Sequence, residues 1–188
     1  MKNTIILHGL YTEKEYYDNK LPSASNAHWL PWLQRQLMLN DFKADTPEVP
    51  YPFKFNWDSW VKEIERFEIT SETTLIGHSM GGGFWARYLS EHPELSVDKV
   101  VLVAPWLNLR NEEDTSFFDF ELDPGIAEHA NKFIIFGSDN DHPDVTNSVN
   151  FLKEKLPNNT FRSFHNYGHF CYKDMKTNEF PELLEAVL

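Results

Sequence analysis

Hydrophobic positions along this chain follow two rhythms. Continuous apolar runs bounded by glycine, proline or polar turns occur at Thr4-Ile5-Ile6-Leu7, Thr74-Leu75-Ile76, Val100-Val101-Leu102-Val103-Ala104 and Phe133-Ile134-Ile135-Phe136. Runs of this kind predict strands covered on both faces, because a strand with one wet face would alternate. Weaker strand signals lie at Phe42 to Thr46 and Thr160 to Phe164. Between the runs the spacing turns helical. Leu30, Leu33 and Leu37 share one face of a predicted helix from His28 to Asn40, with Pro31 in its first turn. Trp57, Trp60, Val61, Ile64 and Phe67 do the same from Asn56 to Phe67, and Val145, Val149, Leu152 and Leu156 mark a third stripe. Helices are also expected after Gly83 and from Pro181 to Leu188. This alternation predicts an α/β fold of about six mostly parallel strands with helices on both faces.

The stretches outside this pattern are few. A polar, tyrosine-rich loop follows the first strand as far as Ala27, and Pro47, Pro50 and Pro52 exclude regular structure after the second. Leu107 to Glu128 is irregular and charged, and is expected to hold one or two short helices lying over the site. The chain of 188 residues shows no internal repeat, so a single domain spanning residues 1–188 is expected. Its apolar runs are too short to span a bilayer, and the first strand starts almost at the N-terminus with no export signal, which predicts a cytoplasmic location.

Charge narrows the partners. A formal net charge of −12, from 29 acidic and 17 basic residues, opposes binding to nucleic acid or an anionic membrane surface. Cys171 is the only cysteine, so no internal disulfide can form, and without a nucleophile elbow of its own it reads as a small buried or half-buried side chain. Aromatic residues make up 15% of the chain, enough to furnish both a core and the walls of a pocket.

Chemistry concentrates where strands end. Thr74-Leu75-Ile76-Gly77-His78-Ser79-Met80-Gly81 runs a strand into Gly-x-Ser-x-Gly and then into a helix, the pattern of a nucleophile elbow. Glycines at 77 and 81 allow strand and helix to touch, and the turn lifts the Ser79 hydroxyl clear of the sheet. A serine needs a base to remove its proton and a carboxylate to orient that base. His169, in Tyr167-Gly168-His169-Phe170 after the last strand, is the candidate base, because Gly168 supports a tight turn; His165 competes but lacks that glycine. For the acid, Asp139 and Asp141 after the fourth long apolar run are equivalent by spacing, with Asp144 a more distant third choice. The Leu10 and Met80 backbone N–H groups follow the first strand and the nucleophile, where an oxyanion hole requires donors. His8 reads as a buried structural partner.

Other chemistries fit less well. Asp139, Asp141, His142 and Asp144 crowd one loop, yet a calcium loop would need glycine at 144 and glutamate at 150, and no His-Glu-x-x-His pair occurs. No Gly-Lys-Ser/Thr follows the glycines of the elbow. Neither a catalytic metal nor a cofactor is expected.

Beyond these positions, the sequence resembles the small α/β-hydrolases of the retinoblastoma-binding protein nine and YdeN type. The resemblance is carried by Ile5-Ile6-Leu7-His8-Gly9, Ala27-His28-Trp29-Leu30-Pro31-Trp32-Leu33, Ile76-Gly77-His78-Ser79, Phe136-Gly137-Ser138 and Gly168-His169-Phe170. The second motif lies outside the general hydrolase signature and has no catalytic reason of its own. The resemblance implies a compact α/β-hydrolase fold with little or no lid, Ser79 as nucleophile, His169 as base, and Asp141 as acid, since that family uses the later aspartate of this loop. Here the loop reads Asp139-Asn140-Asp141-His142-Pro143, without the family's adjacent aspartate pair. The expected function is a metal-independent serine hydrolase acting on a small ester, thioester or amide. The rival reading is a binding or adaptor protein that keeps the fold without turnover.

Overall fold

The structure is a computed structural model that describes residues 2–113 and 115–188. Its centre is one six-stranded parallel sheet in the order β2-β1-β3-β4-β5-β6. The strands are β1 (Asn3–Leu7), β2 (Lys43–Asp45), β3 (Thr73–His78), β4 (Val97–Val103), β5 (Ala130–Ser138) and β6 (Thr160–Phe164). All pairs are parallel, with Ile5 opposite Leu75, Ile76 opposite Val101, and Val101 opposite Ile134. β3 is buried along its whole length and β4 along nearly all of it, as their unbroken apolar runs require.

Among the described residues, seven α-helices accompany the sheet: α1 (Glu13–Tyr16), α2 (Leu30–Leu39), α3 (Trp57–Ile64), α4 (Met80–Glu91), α5 (Pro143–Lys155), α6 (Tyr172–Met175) and α7 (Pro181–Val187). The crossover from β1 to β2 runs toward one edge, and every later crossover runs toward the other. With right-handed connections this reversal puts α2 on one face and α3, α4 and α5 on the opposite one. α7 returns to pack on α2, and on the other face Trp57 and Trp60 of α3 lie against Phe84 of α4, with ring centroids 4.8 and 5.6 Å apart. No helix among the described residues is long and apolar enough to cross a membrane.

Three local features differ from the sequence reading. α2 begins at Leu30 rather than His28, because His28 has φ of 56° and cannot join a right-handed helix. α1 and α6 were not foreseen: both are single turns without an apolar stripe. α1 is fixed by a capping box in which Thr12 and Glu15 satisfy each other's backbone N–H groups. Within Leu107 to Glu128, the 3-10 segment Pro124–His129 packs on α4 and the amino-terminal end of β5, at the end of the sheet away from the site. Among the described residues of Leu107 to Glu128, Glu112 and Glu113 line the candidate site.

The chain therefore reverses direction between β1 and β3, and the crevice outside the carboxyl ends of strands at such a point is where open α/β sheets bind ligands. Leu10 and Ser79 follow these two strands.

Candidate active site

Ser79 sits between β3 and α4 with φ of 53° and ψ of −118°, a conformation that side chains rarely adopt. Backbone hydrogen bonds hold it. Its N–H donates to the Val103 carbonyl, at 2.9 Å, and its own carbonyl accepts from Gly82, Gly83 and Trp106, at 2.9, 3.1 and 3.0 Å. A side chain at 77 is excluded, since a Cβ there would lie 2.4 Å from the Gly81 carbonyl oxygen. The tight approach that the glycine spacing predicted is thus present, and it delivers the Ser79 hydroxyl to the carboxyl end of the sheet.

His169 meets it there. The Ser79 hydroxyl donates to His169 Nε2 at 2.8 Å, and His169 Nδ1 lies 3.0 Å from both carboxylate oxygens of Asp141. The Asp141 side chain is 3% exposed. These contacts fix the neutral tautomer: Nδ1–H points at the carboxylate and Nε2 is free to accept. The other three acidic-loop candidates go elsewhere. Asp139 pairs with His165 on the surface and accepts the Asn166 N–H at 2.9 Å, and these bonds hold its pKa below the usual carboxylate range. Asp144 is fully buried, where it takes the Trp106 indole N–H and, at 2.8 Å, the Arg110 N–H. His142 caps α5 through its Nδ1. His165, the competing base, is therefore committed to Asp139 and does not reach Ser79.

The loop that carries His169 is stitched to the loop that carries Asp141. Ser138 Oγ accepts the Tyr167 N–H at 3.0 Å, Asn140 Oδ1 accepts the Gly168 N–H at 2.8 Å, and Asp174 accepts the His169 N–H at 3.1 Å. Gly168 has φ of 53°, and a Cβ on it would meet the Asp174 side chain at 2.5 Å, so the glycine is required twice over. On the far side, His78 Nε2–H donates to the His169 carbonyl at 2.8 Å. Burial, then the neighbouring imidazoles of His169 and His28, push the His78 pKa well down, which keeps it a neutral donor.

His8 holds the oxyanion-side loop as the sequence suggested. Its Nδ1–H donates to the Gly9 carbonyl at 2.7 Å and its Nε2 accepts the Val49 N–H at 3.0 Å, an arrangement open only to the neutral ring. Burial lowers its pKa accordingly. Among the described residues, neither the Leu10 nor the Met80 N–H has a backbone acceptor, and the Met80 N–H opens the first turn of α4, the positive end of the helix dipole. Cys171 is buried, and desolvation pushes its thiol up to about 12, so it stays protonated.

Sequence reasoning missed several residues around Ser79. Ala27, His28 and His78 wall a small space beside it, and Trp29, buried beneath, meets the His78 ring edge-on at 5.7 Å. The motif from Ala27 to Leu33 therefore does have a reason at the site: it forms the wall behind the serine. Its departure from a simple helical stripe was the available signal.

The profile of the family described as serine hydrolase matches residues 20–182, a span that contains Ser79, Asp141 and His169. The chain belongs to the serine hydrolase family. Leu10 lies just ahead of the matched span. This family member is 27% identical over 128 residues to YdeN of Bacillus subtilis strain 168, covering 63% of this chain and 67% of that one. Its fold is similar to the crystal structure of the ydeN gene product from B. subtilis, with a TM-score of 0.81, 20% identity, and coverage of 100% of this chain and 97% of that one. A second similar structure, the methylesterase protein MES16 from Arabidopsis, has a TM-score of 0.67 at 12% identity, covering 100% of this chain and 99% of that one. These likenesses identify an α/β-hydrolase fold, as the resemblance implied, and its parallel sheet is the one the alternation of apolar runs predicted. The protein is a hydrolase of the serine hydrolase family.

Proposed function

We propose that this family member hydrolyses small carboxylic esters, with thioesters and amides as chemically related substrates, through an acyl-enzyme on Ser79. The observation that carries the reading is the line of contacts from Ser79 Oγ to His169 Nε2, at 2.8 Å, and from His169 Nδ1 to Asp141, at 3.0 Å. In the first step His169 takes the hydroxyl proton as Oγ adds to the carbonyl carbon. The resulting imidazolium is stabilised by Asp141. The oxyanion accepts the Leu10 and Met80 N–H groups. As the tetrahedral intermediate collapses, the C–O bond to the alcohol breaks and His169 gives its proton to the leaving oxygen. Water then repeats the sequence: His169 removes its proton, the hydroxide oxygen adds to the acyl carbon, and Ser79 leaves as the alcohol.

A fluorophosphonate probe tests this, because it phosphonylates only an activated serine. Labelling of the native protein that disappears in Ser79→Ala is the expected result. Absence of labelling in a folded native sample, together with no hydrolysis of short acyl esters, would refute the proposal.

A further inference from the structure

Ser79 and His169 stand between two open cavities of about 540 Å³ each. One is walled by Ser79 itself together with Leu10, Trp106, Glu112, His142, Val145 and Asp174, a mixed set that is the more polar of the two. The other is walled by Tyr11, Leu21, Pro22, Ala27, Pro31 and Tyr172, a largely apolar one. The apolar cavity does not touch Ser79 directly. Beside them lies a smaller space of about 50 Å³, bounded on one side by Gly9 and Ser79. It shares six wall residues with the apolar cavity: Leu10, Tyr11, Ala27, His28, His169 and Cys171. The small space thus borders Ser79 on one side and shares its walls with the apolar cavity on the other, the position of a neck between them.

We infer that this neck and the apolar cavity beyond it form the acyl subsite, selecting esters of linear, medium-length fatty acids, while the alcohol leaves through the polar cavity on the Trp106 side. The inference rests on the esterase reading above and adds to it the class of acid. Two physical arguments support this orientation. The neck has about a tenth of the volume of either cavity, about 50 against about 540 Å³, so an unbranched chain fits it more readily than a ring or a quaternary carbon. The neck also carries no charge. Burial pushes His28 and His78 down toward the neutral form, and the Cys171 thiol is protonated, so a hydrocarbon passing through strips no ion of its water. Beyond the neck, Leu21 and Tyr172 stand 44% and 55% exposed at the cavity rim, and covering them with an acyl chain removes apolar surface from water. The leaving alcohol, by contrast, must take a proton from His169 and depart into solvent, which suits the polar cavity.

The test compares kcat/KM for p-nitrophenyl acetate, butyrate, hexanoate, octanoate, pivalate and benzoate. Extra methylenes in an apolar pocket are worth about tenfold or more, so butyrate and hexanoate should exceed acetate by about that factor, and pivalate and benzoate should fall below it. Ala27→Leu, which narrows the neck, should lower the hexanoate-to-acetate ratio by at least about tenfold. Should that buried substitution impair folding, Leu21→Ser at the exposed rim reads the same ratio, with an expected drop of about threefold from lost apolar contact. A chain-length profile that is flat, or pivalate turned over as well as butyrate, overturns the inference. So does an Ala27→Leu variant that changes preference for the alcohol, methyl against benzyl hexanoate, and leaves the acyl profile alone. Fluorophosphonate labelling of Ser79 separates the two levels: labelling with a flat profile removes the acyl subsite and keeps the esterase, whereas no labelling removes both.

Discussion

Replacing Asp141 by asparagine tests the candidate site at the point the sequence left open. Both Asp141 oxygens lie 3.0 Å from His169 Nδ1, and the carboxylate is almost wholly buried. When His169 takes the Ser79 proton, a full positive charge forms next to a full negative one. At an effective dielectric constant of about 20, two unit charges about 4 Å apart attract by about 4 kcal/mol. An amide removes that attraction, and at about 1.4 kcal/mol per decade the loss is about a thousandfold in kcat. The amide also presents an N–H2 that can donate to Nδ1 and drive the imidazole to its other tautomer, which turns an N–H toward Ser79 and blocks it from acting as base. The combined loss expected for Asp141→Asn is about a thousand- to ten-thousandfold in kcat for a short acyl ester. Asp139→Asn serves as the control. Its carboxylate pairs with His165 at the surface, so kcat should stay within about threefold of the native value. Steady-state hydrolysis, with circular dichroism to verify folding, reads both. If Asp141→Asn keeps a tenth of the native rate, or Asp139→Asn loses as much as Asp141→Asn, the assignment of the acid is wrong.

Two further outcomes follow from the surroundings of the site. His8 and His78 have folded pKa values below the ordinary value of 6.5, so on acidification the unfolded chain takes up protons that the folded chain refuses. Stability is therefore fully present above the ordinary histidine pKa and is lost as pH falls below it, by up to about 1.4 kcal/mol per pH unit for each ring. Denaturant unfolding at a series of pH values from neutral to mildly acidic should show this slope, and His78→Gln should flatten it; an unchanged slope would mean that His78 titrates alike in both states. Gly77→Ala puts a Cβ 2.4 Å from the Gly81 carbonyl oxygen, in backbone that cannot move without opening the elbow. A loss of about 3 kcal/mol or more of stability is expected, and a melting temperature unchanged from native would contradict the packing described for β3 and α4.

The sequence alone settled what depends on local pattern. Short unbroken apolar runs, rich in β-branched residues and bounded by turn residues, read as strands buried on both sides, and runs alternating with helical stripes leave a parallel sheet as the consistent arrangement. Gly-x-Ser-x-Gly between one such run and a helix marks the elbow, since the glycines answer a clash between neighbouring segments of chain. α1 and α6 escaped notice because a single turn has no periodicity to detect, and His28 was drawn into a helix because the apolar spacing of Leu30, Leu33 and Leu37 carries no record of a neighbour's φ. Which acid faces His169 was settled only by the folded chain. Asp139 and Asp141 stand two positions apart on the same loop, and spacing cannot tell which turns inward; the difference comes from Asn140, whose side chain holds the Gly168 N–H, and from His165, which keeps Asp139 at the surface. The neck beside Ser79 was likewise invisible along the chain. Its walls come from segments after β1, before and at the start of α2, at the end of β3 and after β6, and the space exists only once those segments are packed together.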